Sequence, residues 1–479
     1  MSDQPVTNAA MRASPGAKLF YGTGAAPFGI KDAAFNYFLL LYYNQVLGLD
    51  PFLAGLALAI AVVVDALSDV VIGIWSDQTR SAFGRRHPFM YAAALPVAIS
   101  FYFLWNPPLV VTASQPLLFS YLFALAIVVR SCLTFFEVPN AAMGPELTKH
   151  YDDRTELMAA RYVFGWLGGL TIAVLTYMVL LPADQDGQLG ATGYRTLGMV
   201  GSGAMLILML VSSLGTHRYI PSFHNPGTSP LISARQVASM VGDMFGNRSF
   251  RAVFVSALFF GAAAGLSQSM SIYVGTYFWQ LNSREIGLIP MLGLIAVPTA
   301  YVIAPRCANR FGKKDAAMGF FLFAIIFLPL AYVAKLIGLF PDRDSAIYLP
   351  ILMTNYLIET TAIIAMQIVF ASMNADVVED RSAETAGRRD EGLIFAARNF
   401  AKKAVSGLGV LLAGFILWLA SFPKQADPSD VTPDSLLVLI LLYLPTIILL
   451  YLASWRSLRR YDIDREKHLV NLQRQLGSA

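Results

Sequence analysis

A dozen apolar stretches, each about long enough to cross a bilayer, constrain this chain more than any motif does. They fall near 27–48, 51–76, 88–106, 116–139, 157–182 and 195–213, and after a polar segment near 251–280, 284–306, 313–336, 347–372, 391–421 and 434–455. A membrane-spanning helix needs roughly 20 mostly apolar residues, so twelve of them account for about half of the 479 residues. Composition agrees: 56% of the residues are hydrophobic and 14% charged, where a soluble domain has about 45–50% and about 25%. A single soluble enzyme domain, a disulfide-stapled secreted domain and a disordered scaffold are excluded. Two cysteines, Cys132 and Cys307, are too few for a disulfide framework or a thiolate metal site and read as free thiols. The polar first 26 residues lack the pattern of a cleaved leader, so the first apolar run reads as an uncleaved span.

The net charge of +4 matters less than where the charges fall. If the amino terminus is cytoplasmic, segments on that side hold 24 lysines and arginines and the opposite segments hold five, Arg195, Arg284, Lys335, Arg343 and Lys424. That asymmetry places both termini in the cytoplasm. The expected organisation is a tail (1–26), a six-helix bundle (27–213), a cytoplasmic linker (214–250), a second six-helix bundle (251–455) and a second tail (456–479). The halves echo one another. Gly84-Arg85-Arg86 between spans two and three answers Gly312-Lys313-Lys314 between spans eight and nine, 228 residues on. Ala159-Ala160-Arg161 answers Ala396-Ala397-Arg398, 237 residues on. Two parallel six-helix repeats are a transporter architecture.

Charge inside the spans is costly, about 2.5–3.5 kcal/mol per residue at the bilayer centre on insertion scales. The spans nevertheless carry Lys31, Asp32, Asp65, Asp69, Arg130, Glu137, Arg161, Glu359, Arg398, Lys402 and Lys403. For Arg130, Lys402 and Glu359 a helix-end snorkeller or static ion pair stands as an equal reading. Asp65 and Asp69 differ, because residues four apart share one helix face at roughly 6 Å. Two such carboxylates repel unless a cation lies between them or one is protonated. Glu137 offers a third carboxylate, and Thr134, one turn back on its face, a hydroxyl oxygen; Na⁺, a hard ion, favours oxygen ligands. The alternative for the pair is a structural acid pair. Lys31-Asp32 opens the first span with Asn36 one turn on, and Arg161 is followed by Gly165, Gly168 and Gly169, which permit close helix approach. Carboxylate, amide and guanidinium groups around a cavity suit a polyhydroxylated solute or an anionic head group.

Other signatures are absent from the sequence. No Gly-x-x-x-x-Gly-Lys-Ser/Thr loop argues for ATP-driven transport and no His-Glu-x-x-His or Gly-x-Ser-x-Gly motif for an intramembrane hydrolase. The five histidines do not cluster. The basic tail, Arg456 to Arg474, suits anionic lipid rather than nucleic acid.

Several motifs are similar to those of the major facilitator superfamily and, within it, the melibiose permease-like glycoside–pentoside–hexuronide:cation symporters. They are Lys18-Leu-Phe-Tyr-Gly-Thr-Gly, Leu47-Gly-Leu-Asp-Pro-Phe-Leu-Ala-Gly, Asp65-Ala-Leu-Ser-Asp69, Asp77-Gln-Thr-Arg80 with Gly84-Arg85-Arg86-His87-Pro88-Phe89, Pro139-Asn-Ala-Ala-Met-Gly-Pro-Glu-Leu-Thr148 and Asp376-Val-Val-Glu379 to Arg389-Asp390-Glu391-Gly392. The resemblance implies an all-α membrane protein of twelve transmembrane helices in two pseudo-symmetric bundles, the major facilitator fold. It also implies a bacterial inner-membrane transporter that needs no cofactor beyond a coupling ion, Na⁺ or H⁺, and works as a monomer. Asp65, Asp69, Thr134 and Glu137, with Ser68 where the family type has Asn, match cation-site positions. Lys31, Asp32, Arg161 and Glu137 match solute-contacting positions; Asn36, Arg398 and Asn399 extend that set, and Lys403 matches a coupling lysine. Two departures bear on the solute: Ala141 stands where a sugar-stacking tryptophan is expected, and Arg398 where a glutamine is. They point away from a plain galactoside and toward a uronide, another acidic glycoside or a larger amphiphile.

The expectation is a symporter in which a cation relieves repulsion in the Asp65/Asp69/Glu137 cluster and so favours solute binding. Asp77, Arg80, Arg85 and Arg86 form a cytoplasmic latch, with Asn309 and Arg310 as a weaker copy. A lysophospholipid symporter of the same fold is the alternative; a scaffold or sensor gives no reason to bear the cost of the acidic pair.

Overall fold

The computed structural model describes residues 14–148, 151–182, 187–220, 245–384, 405, 407–428 and 430–463, and among them no strand occurs. The chain divides into two compact units, Met1–Pro230 and Leu231–Ala479, the division falling inside the 214–250 segment.

In the first unit Ser14 caps α1 (Pro15–Thr23) by accepting from the Ala17 N–H. α2 is α-helical over Ala26–Ala33 and continues through wide i→i+5 turns over Ala34–Leu39 and Tyr42–Val46. Its 21 residues reach about 30 Å, enough to cross. α3 (Pro51–Gln78) begins with Pro in its first turn and the Asp50 carboxylate accepting from the Phe52 and Leu53 N–H groups. Val63, Leu67, Val70, Val71 and Ile74 give it an exposed apolar face, while Asp65, Ala66, Ile72 and Ser76 are buried. α4 (His87–Trp105), a short α5 (Leu109–Thr112), α6 (Gln115–Leu147), α7 (Tyr151–Leu175) and α8 (Ala191–His217) complete the unit. α4 packs on α6 and α8, α3 on α6, and α2 on α7.

The α2–α7 contact is backbone to backbone. A Cβ on Gly29 would stand 1.9 Å from the Gly165 carbonyl oxygen, and one on Gly168 would stand 2.5 Å from that of Ala26. Only glycine fits at Gly29 and Gly168, and with Gly165 and Gly169 they bring the helix of Arg161 directly onto the helix of Lys31 and Asp32.

The second unit holds α9 (Arg248–Tyr273, extended by a wide turn to Phe278), α10 (Ser283–Met291), α11 (Gly293–Phe311), α12 (Lys313–Leu336), α13 (Tyr348–Glu384), α14 (Gly407–Leu419) and α15 (Pro433–Leu458). α9 packs on α15, and α13 on α11 and α12. Ten described helices are long and apolar enough to cross a membrane; α2 with its wide turns is long enough but, with Lys31, Asp32, Asn36, Asn44 and Gln45, less apolar. Of the expected span 391–421 only Val405, α14 and the residues after it are described.

Some boundaries move. The expected loop at 140–156 is helical on both sides, because α6 runs to Leu147 and α7 starts at Tyr151. Polar residues end the apolar stretch there but not the helix, whose backbone bonds do not need hydrocarbon. The expected span 284–306 runs longer, as one candidate span over Ser283–Phe311 that is irregular only at Leu292, two residues after Pro290, which lacks an N–H.

Candidate cation and solute site

The acidic site forms where α3 meets α6. Asp65 and Asp69 lie one turn apart on α3; Arg130, Thr134 and Glu137, spaced four and three, lie along one face of α6. The Thr134 hydroxyl stands 2.9 Å from Asp65 Oδ1 and 3.2 Å from Asp69 Oδ1. One hydroxyl hydrogen serves one acceptor at a time, so Thr134 links the two carboxylates and its oxygen remains a possible ligand. Asp65 is 4% exposed and Thr134 1%, whereas Asp69 is half-buried, so water screens the pair from one side only. Ser68 donates instead to the Asp65 carbonyl, 2.8 Å away on its own helix.

Arg130 belongs to this cluster. Its Nη1 lies 3.4 Å from Asp65 Oδ2, and its guanidinium sits 4.8 Å from the centre of the Phe35 ring. An ion pair therefore neutralises part of the acidic charge here, which the four-residue spacing on α3 alone does not reveal. Glu137 goes a different way: its ion pair is with Arg161 Nη2, at 3.7 Å. Among the described residues no three His, Cys, Asp or Glu side chains gather closely enough to hold a metal ion. The expected three-carboxylate set is thus, in this structure, two carboxylates and a hydroxyl, with Glu137 turned to the solute cluster.

That second cluster spans α1, α2, α6 and α7. Arg161 Nη1 donates to Asn140 Oδ1 at 2.6 Å, and Asn140 Nδ2 donates to Ser212 Oγ at 3.2 Å. The Tyr21 ring lies 6.0 Å from the same guanidinium, and its hydroxyl donates to the Ala141 carbonyl at 3.1 Å. Lys31 is buried with its ammonium 3.7 Å from Asp32 and 4.4 Å from the centre of the Phe28 ring. Asn36 lies within the wide turns of Ala34–Leu39, so four residues do not stack it on Asp32 as they would in a regular α-helix. Asn140 is the residue that sequence reasoning passed over. It sat inside the quoted Pro139-Asn140 motif, but only the crossing of α6 and α7 shows that it aims Arg161. Arg398, Asn399, Lys402 and Lys403 lie outside the described residues.

The latch differs from its expected form. Arg85 pairs closely with Glu146, and Arg86 Nη2 lies 2.8 Å from the same carboxylate. Asp77 stands further off, 3.4 Å from Arg86 and 4.0 Å from Arg85, and is half exposed. Arg80 is exposed and joins no ion pair among the described residues. Glu146, in the last turn of α6, is thus the central acid; the hydropathy boundary had placed it in a loop. Burial, with Arg85 beside it, lowers the Arg86 guanidinium to about 10, so it stays protonated at neutral pH. Nearby, Lys18 binds Glu156 and, at 2.9 Å, Asp153, and these two carboxylates raise its pKa above the ordinary lysine value.

The second unit carries a matching closure. Lys313 Nζ lies 2.6 and 2.7 Å from the two oxygens of Asp376, which also accepts from the Tyr461 hydroxyl at 3.3 Å. Asn309 and Arg310 are exposed, so the copy of the latch rests on Lys313, one helix start later. Deeper in the unit Glu359 is buried on α13, within electrostatic reach of Tyr332, Tyr356, Tyr443 and Tyr451.

Ten described helices long and apolar enough to cross a membrane, with charged side chains buried among them, define a multi-pass integral membrane protein. The family model for MFS/sugar transport proteins matches residues 20–465, and the chain belongs to that family. It is 24% identical over 464 residues to the putative glycoside/cation symporter YagG of Escherichia coli, covering 96% of this chain and 94% of that protein. It is 23% identical over 497 residues to the sodium-dependent lysophosphatidylcholine symporter 1 of Gallus gallus, covering 96% and 89%. Among solved structures, the nucleoside transporter NupG superposes with a TM-score of 0.62 at 12% identity, covering 92% of this chain and 98% of that one; that likeness speaks for the fold alone.

Proposed function

We propose that the protein is a symporter that moves a glycoside, uronide or related sugar together with Na⁺ or H⁺. The observation that carries this reading is the Thr134 hydroxyl set between the buried Asp65 and the half-buried Asp69, with Arg130 paired to Asp65. A sodium ion there would take oxygens from Asp65, Asp69 and Thr134; a proton would neutralise one carboxylate. Either ends the repulsion across α3. Arg161, aimed by Asn140, with Lys31 and Asp32, then offers the solute both donors and acceptors, and Glu137 belongs to both tasks through its Arg161 pair. Opening and closing of the Arg85/Arg86–Glu146 latch gates access from the cytoplasmic side. Lys403 couples the two sites, and Arg398 and Asn399 complete the solute set. Both termini are cytoplasmic, the membrane is a bacterial inner membrane, and the monomer is the working unit.

Sodium-jump against pH-jump uptake into proteoliposomes, with glycosides and uronides as solutes, tests this directly. Asp65→Cys or Asp69→Cys should abolish cation-driven uptake without loss of membrane insertion; full uptake in either variant removes the site. One observation favours a second reading: Ala141 leaves the flat stacking surface of a sugar site missing, and a relative is named a lysophosphatidylcholine symporter. Including lysophospholipids in the panel separates the two.

A further inference from the structure

At the end of the second unit where α9 starts and α15 finishes, the two helices flank an open cavity of about 580 Å³. Four arginines line it: Arg248 and Arg251 in the first turn of α9, Arg456 in the last turn of α15, and Arg460 just beyond. No carboxylate is among the lining residues. None of the four guanidiniums enters an ion pair, hydrogen bond or ring contact among the described residues. Their neighbour Arg459, outside the cavity, stacks on Trp455 at 4.7 Å. One and two turns deeper along α9 the wall becomes apolar, with Val255 and Phe259, and Ala453 faces them from α15. Leu449 and Leu452, just above on α15, are exposed as lipid-facing side chains are.

Four exposed guanidiniums around one open cavity make a rim that attracts an anion, and the guanidinium fork matches phosphate oxygens two at a time. The charged rim sits at helix ends, level with head groups, on the side that carries the basic loops; the apolar floor runs toward hydrocarbon. We infer that this cavity binds the phosphate of an anionic phospholipid of that leaflet, with its acyl chain laid over Val255 and Phe259. A free phosphate would satisfy the arginines but leave the apolar floor without a partner.

Native mass spectrometry of the full chain in mild detergent, given phosphatidylglycerol, phosphatidylcholine or glycerol phosphate, tests the assignment. The wild type should retain phosphatidylglycerol in preference to phosphatidylcholine, and millimolar glycerol phosphate should not displace it. Removing two charge-assisted contacts in R251Q/R456Q should lower retention about tenfold or more, while R459Q keeps it. Ala453→Phe, which narrows the floor but leaves every arginine, should also release the lipid, and both variants should melt as one folded population. Retention equal to wild type in R251Q/R456Q and Ala453→Phe overturns the proposal. So does full displacement by glycerol phosphate, which would assign the arginines to a small soluble anion.

Discussion

Each unit closes one end of its helices in the same place but with different chemistry. In the first, Gly84 at φ 74° leads into Arg85 and Arg86, which clasp Glu146 at the end of α6; in the second, Gly312 at φ 87° leads into Lys313, which clasps Asp376 on α13. The basic residues are 228 positions apart and the acids 230, so the pairing is a shared inheritance of the repeat. In the first clasp two guanidiniums share one oxygen of Glu146, whose side chain is 11% exposed, so the contact is largely desolvated. One partly exposed ammonium on a carboxylate makes a point contact that water can enter. Deeper in, the units part further. Among the described residues, the first places Asp65, Asp69, Thr134 and Arg130 in one cluster and Arg161, Glu137 and Asn140 in another, while the second offers Glu359 among tyrosines. The described part of the second unit is thus the more aromatic of the two around its buried acid.

The largest expected contrast lies in transport. Asp65→Asn should abolish ion-driven uptake, whereas Glu359→Gln should leave ion dependence in place; equal loss in both, read by ion-jump uptake, would dissolve the asymmetry. Next comes stability of the two clasps. Glu146→Gln leaves two mostly buried arginines with only the more distant, exposed Asp77 as a charged partner and should cost about 2 kcal/mol, seen as a lower unfolding temperature. Asp376→Asn should cost about 1 kcal/mol, because Lys313 is 37% exposed and can rehydrate. A smaller effect is expected at Asn140→Ala, which removes the 2.6 Å bond aiming Arg161. Solute affinity by titration should fall roughly tenfold, while cation-induced fluorescence changes persist. Smallest are the turn glycines: Gly84→Ala and Gly312→Ala should each cost about 1 kcal/mol in melting experiments for a left-handed backbone. Gly84→Ala should cost the more, since its Cβ would stand 3.1 Å from Ile220 while nothing lies near Gly312.

The helices were legible because hydrocarbon demands about 20 apolar residues and the chain supplies them repeatedly. Their ends were less so: hydropathy reports where a helix leaves the bilayer, and α6 continues past that point to Leu147, carrying Glu146 with it. Within the site, Asp65 and Asp69 stood out because their spacing alone puts like charges on one face. The Arg130–Asp65 pair and the Asn140–Arg161 bond depend on how α6 is rotated against α3 and α7, which no single-helix pattern encodes. The wide turns after Ala33 were hidden for a related reason, as a continuous apolar run reads the same whether its backbone closes four or five residues back.

The glycine seam between α2 and α7 leaves no slack for those helices to slide or part without losing contact along their main chains. Lys31 and Arg161 are consequently mounted on a single stiff body, and the spacing of their backbones is a fixed gauge. Any change of cargo over evolutionary time must come from trimming or lengthening side chains around that gauge, since the scaffold holding it cannot widen.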